Sequence, residues 1–205
     1  MSRGKSMARK TEAILTSART LFLERGYDAT TLDDVAAASN VAKTTVYNNF
    51  RDKEHLFSEV IESITARSTV ILAALEEPLF SDSPVEDRLI EFGNRLVTGV
   101  LQPSVIQLRR LAIAEAPRFP ELVTRFWSHG PGRTTELLAR ALREADSRGE
   151  LRVPDPNAAA LVLAYTLLGA ALDRALMVQG AHMSPSDITA HVDHSVAAFL
   201  RAYAR

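Results

Sequence analysis

Residues 31–56 read TLDDVAAASNVAKTTVYNNFRDKEHL. The stretch divides into two short helices, a tight turn between them, and the first turn of a third helix. Thr31 followed by Asp34 is a capping-box arrangement and sets the first start. Val35, Ala36 and Ser39 keep that helix slim, so a second helix can cross it closely. The turn passes through Asn40, one of the few non-glycine residues that tolerates a left-handed backbone. The second helix, about Lys43 to Asn49, presents Lys, Thr, Thr, Tyr and Asn on one short rod. That surface is unusual for a soluble enzyme and suits the groove of a DNA duplex. Hydroxyls and Lys43 suit phosphate oxygens, the methyls of Thr44 and Thr45 suit thymine methyls, and Asn48 can pair with adenine. Val46 and Phe50, spaced i, i+4, are the core candidates. A competing reading packs Tyr47 against the first helix.

Flanking blocks extend the pattern. Phe22-Leu23-Glu24-Arg25-Gly26-Tyr27 precedes it, Thr31-Leu32-Asp33-Asp34-Val35-Ala36 opens it, and Tyr47-Asn48-Asn49-Phe50-Arg51-Asp52-Lys53-Glu54-His55-Leu56 closes it. Three spaced blocks in this order resemble the DNA-binding domain of tetracycline-repressor-type (TetR-family) regulators. The resemblance covers roughly the first quarter of the chain. It implies an all-α protein, with a helix-turn-helix domain and basic arm at residues 1–53 and a helical ligand-binding and dimerisation domain at residues 54–205. It further implies DNA contacts from Lys43, Thr44, Thr45, Tyr47, Asn48, Asn49 and Lys53, the last meeting a phosphate at the start of the fourth helix. Two positions depart from the family. Ala42 stands where Ser is common, so the second helix lacks a side-chain cap, typically worth ~1 kcal/mol. Asn49 stands where His or Tyr is usual, and brings neither a ring nor a positive charge.

Composition is consistent with this. The 205 residues suffice for a real core without staples. Hydrophobic content of 46% with few aromatics and few glycines points to an all-helical chain. With no cysteine, disulfides and thiolate metal sites are excluded. No apolar run is expected to approach a membrane span, and the Arg3-Lys5-Arg9-Lys10 start lacks a following apolar signal core, so a cytoplasmic location is expected. Charge is unevenly placed: residues 1–53 hold nine Lys and Arg against six Asp and Glu, the remainder fifteen against nineteen. The positive end would face a polyanion, and it leads into the helix-turn-helix.

Periodicity and breakers predict about nine helices and no strand. The first runs near Ala8 to Arg25, with Ile14, Leu15, Ala18, Leu21 and Phe22 on one face, and Gly26 ends it. The fourth runs from Asp52 to about Glu76, with Phe57, Val60, Ile61, Ile64, Ile71, Leu72 and Leu75 as its stripe. Pro78 and Pro84 bracket a loop. The fifth spans about Val85 to Leu101, the sixth lies between Pro103 and Pro117, and the seventh runs from Pro120 to Arg148, kinked or broken at Gly130-Pro131. The eighth opens at Asp155-Pro156 and is apolar nearly all round, so it should be buried on more than one side. The ninth, Ser184 to Tyr203, is amphipathic.

The resemblance implies a homodimer through the last two helices, with Val162, Leu168, Val192, Val196 and Phe199 in the interface; a plain monomer core is the alternative for the eighth helix. A cavity for a small hydrophobic inducer is expected between the fourth helix and those that follow, lined by Ile64, Phe92, Leu96, Trp127 and Tyr165, with plain core packing as the alternative. Phe126 is assigned to the core. Asp187, His191 and His194 share a face of the ninth helix, with His182 just before it, but the spacing fits no zinc signature. No nucleophile elbow, phosphate loop or His-Glu-x-x-His is present, so no catalysis, metal or cofactor is expected. The reading is a ligand-responsive DNA-binding transcriptional regulator, a repressor released from a pseudo-palindromic operator. A ligand-independent DNA-binding assembly or nucleoid-associated protein of the same fold is the rival, and a helical enzyme a remote one.

Overall fold

The computed structural model describes the backbone of residues 2–204 and the side chains of residues 7–64 and 72–204. Arg3, Lys5 and Ile71 lie outside the described side chains. The chain is all-α. Among the described residues ten helices run α1 Ser2–Arg25, α2 Leu32–Ser39, α3 Lys43–Asn49, α4 Lys53–Leu79, α5 Val85–Val100, α6 Pro103–Glu115, α7 Pro120–His129, α8 Pro131–Ser147, α9 Pro156–Met177 and α10 Pro185–Tyr203.

The tenth helix comes from the Gly130-Pro131 step. Gly130 sits at φ −111°, ψ −97°, outside the helical region, as a residue before proline is driven to be. α7 therefore ends and α8 starts afresh with Pro131 in its first turn, where a missing N–H costs nothing. Pro78 behaves in the opposite way to expectation: it lies inside α4 rather than opening a loop. A proline there leaves the carbonyl four residues back without its helical donor. That carbonyl, Ala74 O, accepts instead from Arg95 Nη1 at 2.7 Å, and the same guanidinium group reaches Glu77 at 2.8 Å and Glu91 at 2.7 Å.

The chain divides into two compact units, residues 1–67 with 107–126, and residues 68–106 with 127–205. A boundary at residue 53 does not coincide with this division. The reason is visible in the core of the first unit. Ile14, Ala18, Phe22, Val35, Val46, Phe50, Phe57 and Val60 are buried from α1 to α4, and Leu108, Leu111 and Leu122 complete the cluster. Phe119 lies 5.2 Å from the Tyr27 ring and 5.0 Å from Phe57. Three short helices bury too little surface alone; α6 and α7 supply the rest.

The second unit packs α5, α8, α9 and α10 around Phe92, Leu96, Leu138, Leu142, Leu163, Leu167, Val192, Val196 and Phe199. Gly93 permits the close approach of α5 to its neighbours: a Cβ there would lie 2.7 Å from Val192 Cγ1 and 3.2 Å from Leu167 Cδ2. Arg88, only 3% exposed, pairs with Glu150 and donates to Leu79 O at 3.3 Å, so one buried guanidinium ties the end of α4 to α5 and to the turn after α8.

α9 corrects two expectations. It is long and apolar enough to cross a membrane, with a window of mean hydropathy 1.5 within its 22 residues. That criterion rests on length and composition alone, and a helix with one face in a protein core also meets it. Nor is α9 buried all round. Ala159, Ala160, Leu163, Ala164 and Leu167 face the core, while Leu161, Val162, Tyr165 and Met177 are exposed.

Candidate nucleic-acid interface

The helix-turn-helix is built by local chemistry. Thr31 caps α2, its hydroxyl accepting from Asp34 N–H at 3.1 Å, while the Asp34 carboxylate accepts from Thr31 N–H at 3.0 Å. The Thr31 hydroxyl and backbone bonds hold the Asp34 carboxyl below its ordinary range. α2 ends at Asn40 in the left-handed region, φ 52° and ψ 38°, and its N–H reaches back to Ala36 and Ala37. Ala42 gives α3 no side-chain cap. Asp52 takes over at the next start, accepting from His55 N–H at 2.8 Å.

Val46 and Phe50 are sunk in the core and fix which face of α3 points out. Lys43, Thr44, Tyr47 and Asn48 are exposed on that face, and Thr45 and Asn49 are half-buried at its edge. Tyr47 is 52% exposed and does not pack into the first helix. Asn49 is committed internally: its Nδ2 donates to Thr45 O at 2.7 Å, and its Oδ1 accepts from Thr11 of α1 at 3.4 Å.

Lys53 is also engaged. Its Nζ donates to Tyr27 O at 3.0 Å and Asp28 O at 3.3 Å, and sits 4.3 Å from the Tyr27 ring centre. Arg118 flanks the same ring at 4.9 Å and pairs with Asp28 at 2.8 Å. Its hydrogen bond holds the Asp28 carboxyl below the usual range, and burial raises the Tyr27 phenol. The turn between α1 and α2 is thereby pinned from α4 on one side and from the α6–α7 connection on the other.

Sequence reasoning missed Asp33. Its Oδ2 lies 2.8 Å from Lys43 Nζ, and its Oδ1 accepts from the Tyr47 hydroxyl at 3.5 Å. The hydrogen bond and charge of Asp33 raise the Lys43 ammonium above its ordinary pKa. No periodic signal links residues ten and fourteen positions apart on two crossing helices.

Residues 14–60 match the family model described as bacterial regulatory proteins of the tetR family, and residues 87–205 match that of the AefR-like transcriptional repressor, C-terminal domain. The second match alone covers more than half of the chain. The chain belongs to the TetR family of transcriptional regulators. It is a DNA-binding regulator whose helix-turn-helix is α2–α3. A TetR-family transcriptional regulator from Mesorhizobium loti is 31% identical, covers 96% of this chain and 98% of its own, and superimposes with a TM-score of 0.87. The flavonoid-responsive regulator FrrA is 27% identical over 96% of this chain and 97% of its own, with a TM-score of 0.72. Over 52 residues this TetR-family chain is 38% identical to the biofilm operon icaADBC negative transcriptional regulator IcaR of Staphylococcus epidermidis. That match spans 25% of this chain and 28% of the relative.

The other candidate residues of this regulator are scattered. Phe92 and Leu96 are packed in the core of the second unit, and Val192, Val196 and Phe199 are buried in that same core. Trp127 and Tyr165 are exposed at 52% and 64%. Ile64 belongs to the first unit, packed against its core with Phe126. Val162 is exposed and Leu168 half-buried on α9. Of the histidines, His191 Nε2 lies 2.9 Å from Leu167 O and ties α10 to α9, and Asp187 closes the Ser184 capping box.

Proposed function

We propose that this regulator is a homodimeric repressor that occupies a pseudo-palindromic operator and leaves it when a small hydrophobic molecule enters the helical domain. The single observation that carries the operator reading is α3, which offers Lys43, Thr44, Tyr47 and Asn48 outward over an anchored Val46 and Phe50. One such helix reads a half-site, and two copies related by a two-fold axis read successive major grooves roughly 34 Å apart.

The apolar face of α9 supports the dimer. Leu161, Val162 and Tyr165 form a patch that a second copy of α9 would cover, with Leu168 at its edge. Val192, Val196 and Phe199 would back this seam from inside the protomer rather than cross it. Obligate interfaces bury about 2,000 Å² or more. The match to an AefR-like repressor domain and the likeness to a flavonoid-responsive relative support a ligand-gated repressor. Trp127 and Tyr165 are the aromatic candidates for the wall of the ligand site, whereas a ligand at Phe92 and Leu96 would have to open a closed core. Release would be a population shift, and a coupling of ~1–3 kcal/mol changes occupancy substantially.

The test is to select bound sequences from random duplex DNA and then screen small hydrophobic molecules for release. A palindromic motif bound by a dimer, and released by a ligand, is the expected result. Failure to enrich any motif overturns the operator reading; a motif that no molecule releases favours a ligand-independent DNA-binding protein of the same fold.

A further inference from the structure

α2 begins with two adjacent carboxylates, and only one of them has a local task. Asp34 closes the capping box with Thr31. Asp33 serves no cap. Its two oxygens point across to Lys43 and Tyr47, both exposed on the outer face of α3. Lys43 is the single cation in the seven residues of that helix. Asp33 cancels it, so the outward face of α3 together with Asp33 carries no net charge. A surface meant only to adhere to phosphates would not hold a carboxylate there, because affinity for the backbone comes from unpaired cations.

We propose that Asp33 is a specificity-determining residue: its carboxylate, held between Lys43 and Tyr47, accepts a hydrogen bond from a base amino group in the major groove, cytosine N4 or adenine N6, and disfavours duplexes that offer it no donor. The proposal rests on the DNA-binding reading of α3. An ionised carboxylate only accepts hydrogen bonds, has capacity for about four, and here uses one oxygen for each α3 partner. The Asp33 side chain is 51% exposed, so it is open to a further donor. In the major groove the amino groups of cytosine and adenine are the base-edge donors. A duplex lacking one at that place meets a carboxylate beside its own acceptors, which lowers affinity for wrong sequences rather than raising it for the right one. Lys43 and Tyr47 then act as a brace that fixes where the carboxylate stands.

The test compares wild type, Asp33→Ala and Lys43→Gln by selection from random duplex DNA, and by titration of a random-sequence duplex at several salt concentrations. Wild type should prefer cytosine or adenine at one position in each half-site. Asp33→Ala should lose that preference alone, bind the random duplex several-fold more tightly, and steepen its salt dependence by about one phosphate, a slope of ~0.9. Its operator-to-random ratio should fall about tenfold to a hundredfold, the discrimination of one good base contact. Lys43→Gln removes the charge but keeps the carboxylate, an amide N–H donor in place of the ammonium and the Tyr47 half of the brace, so the base preference should survive while random binding weakens. Identical base preferences in wild type and Asp33→Ala overturn the proposal, as does loss of the preference in Lys43→Gln with Asp33 intact. If wild type enriches no motif, the operator reading fails first and this proposal falls with it.

Discussion

Lys53→Met separates two tasks that one ammonium group can perform. In the structure it holds Tyr27 O and Asp28 O and lies over the Tyr27 ring, so it staples the α1–α2 turn to the first turn of α4. The methionine keeps the stem and loses the charge. Each charge-assisted bond is worth ~1.5–3 kcal/mol when well shielded, but Lys53 is only half-buried, and water replaces much of what is lost. About 1 kcal/mol for the two bonds together, plus ~0.5–1 kcal/mol for the ring contact, gives an expected destabilisation of about 1.5–2 kcal/mol. Urea denaturation followed by circular dichroism reads this directly, without DNA. A phosphate contact would show separately, as an operator salt dependence flattened by ~0.9. Lys53→Arg keeps the charge and should restore the salt slope, yet its planar fork cannot sit over both carbonyls in the same way. A midpoint in urea unchanged from wild type in Lys53→Met would refute the staple. The family-implied phosphate contact would then stand as the sole role of this residue.

Three further perturbations test the packing. Gly93→Ala forces a methyl to 2.7 Å from Val192 Cγ1; Val192 is fully buried and stiff at χ1, so overpacking of ~1–3 kcal/mol should exceed the ~1 kcal/mol helix-propensity gain, and a variant as stable as wild type would show that α5 and α10 are less tightly joined. Glu150→Gln leaves the Arg88 guanidinium buried without its counter-charge; Glu150 is itself 30% exposed, so the loss should be about 1–3 kcal/mol rather than the 3–5 kcal/mol of a fully buried pair, measured by thermal melting. Asp28→Asn should lower the melting temperature slightly at pH 7 and by less at pH 3. The Asp28 carboxyl is held below its ordinary range by Arg118, so its stabilisation is complete above that range and disappears as pH falls through the depressed folded value; equal effects at both pH values would mean that the ion pair contributes nothing.

What could be read from the sequence was set by neighbours in the chain. Thr31 and Asp34 are three residues apart, and their capping box formed as spacing requires. Asn40 took the left-handed turn for which its short polar side chain is suited. Val46 and Phe50 went inward together because they share a helix face. The breakers were less legible, since a proline's effect depends on who rescues the carbonyl it abandons. Pro131 had no need of rescue, being at a helix start. Pro78 stayed helical because Arg95, seventeen residues later, supplies a donor to Ala74 O, and nothing near Pro78 announces that.

The same distinction explains the site. Exposure on α3 follows from its anchored face, so Lys43, Thr44, Tyr47 and Asn48 were legible as a set. The commitments of Asn49 to Thr11, of Lys53 to the 27–28 carbonyls and of Asp33 to Lys43 all cross between helices. Such pairs depend on crossing geometry and leave no period in the sequence. α9 illustrates the complementary ambiguity: a helix apolar on both faces reads the same whether its second face meets its own core, a membrane or another copy of itself. Its first face is filled by Leu163 and Leu167, but Leu161, Val162 and Tyr165 remain exposed in the single chain. Under the proposed operator of two half-sites, a partner of the same sequence would cover that cluster.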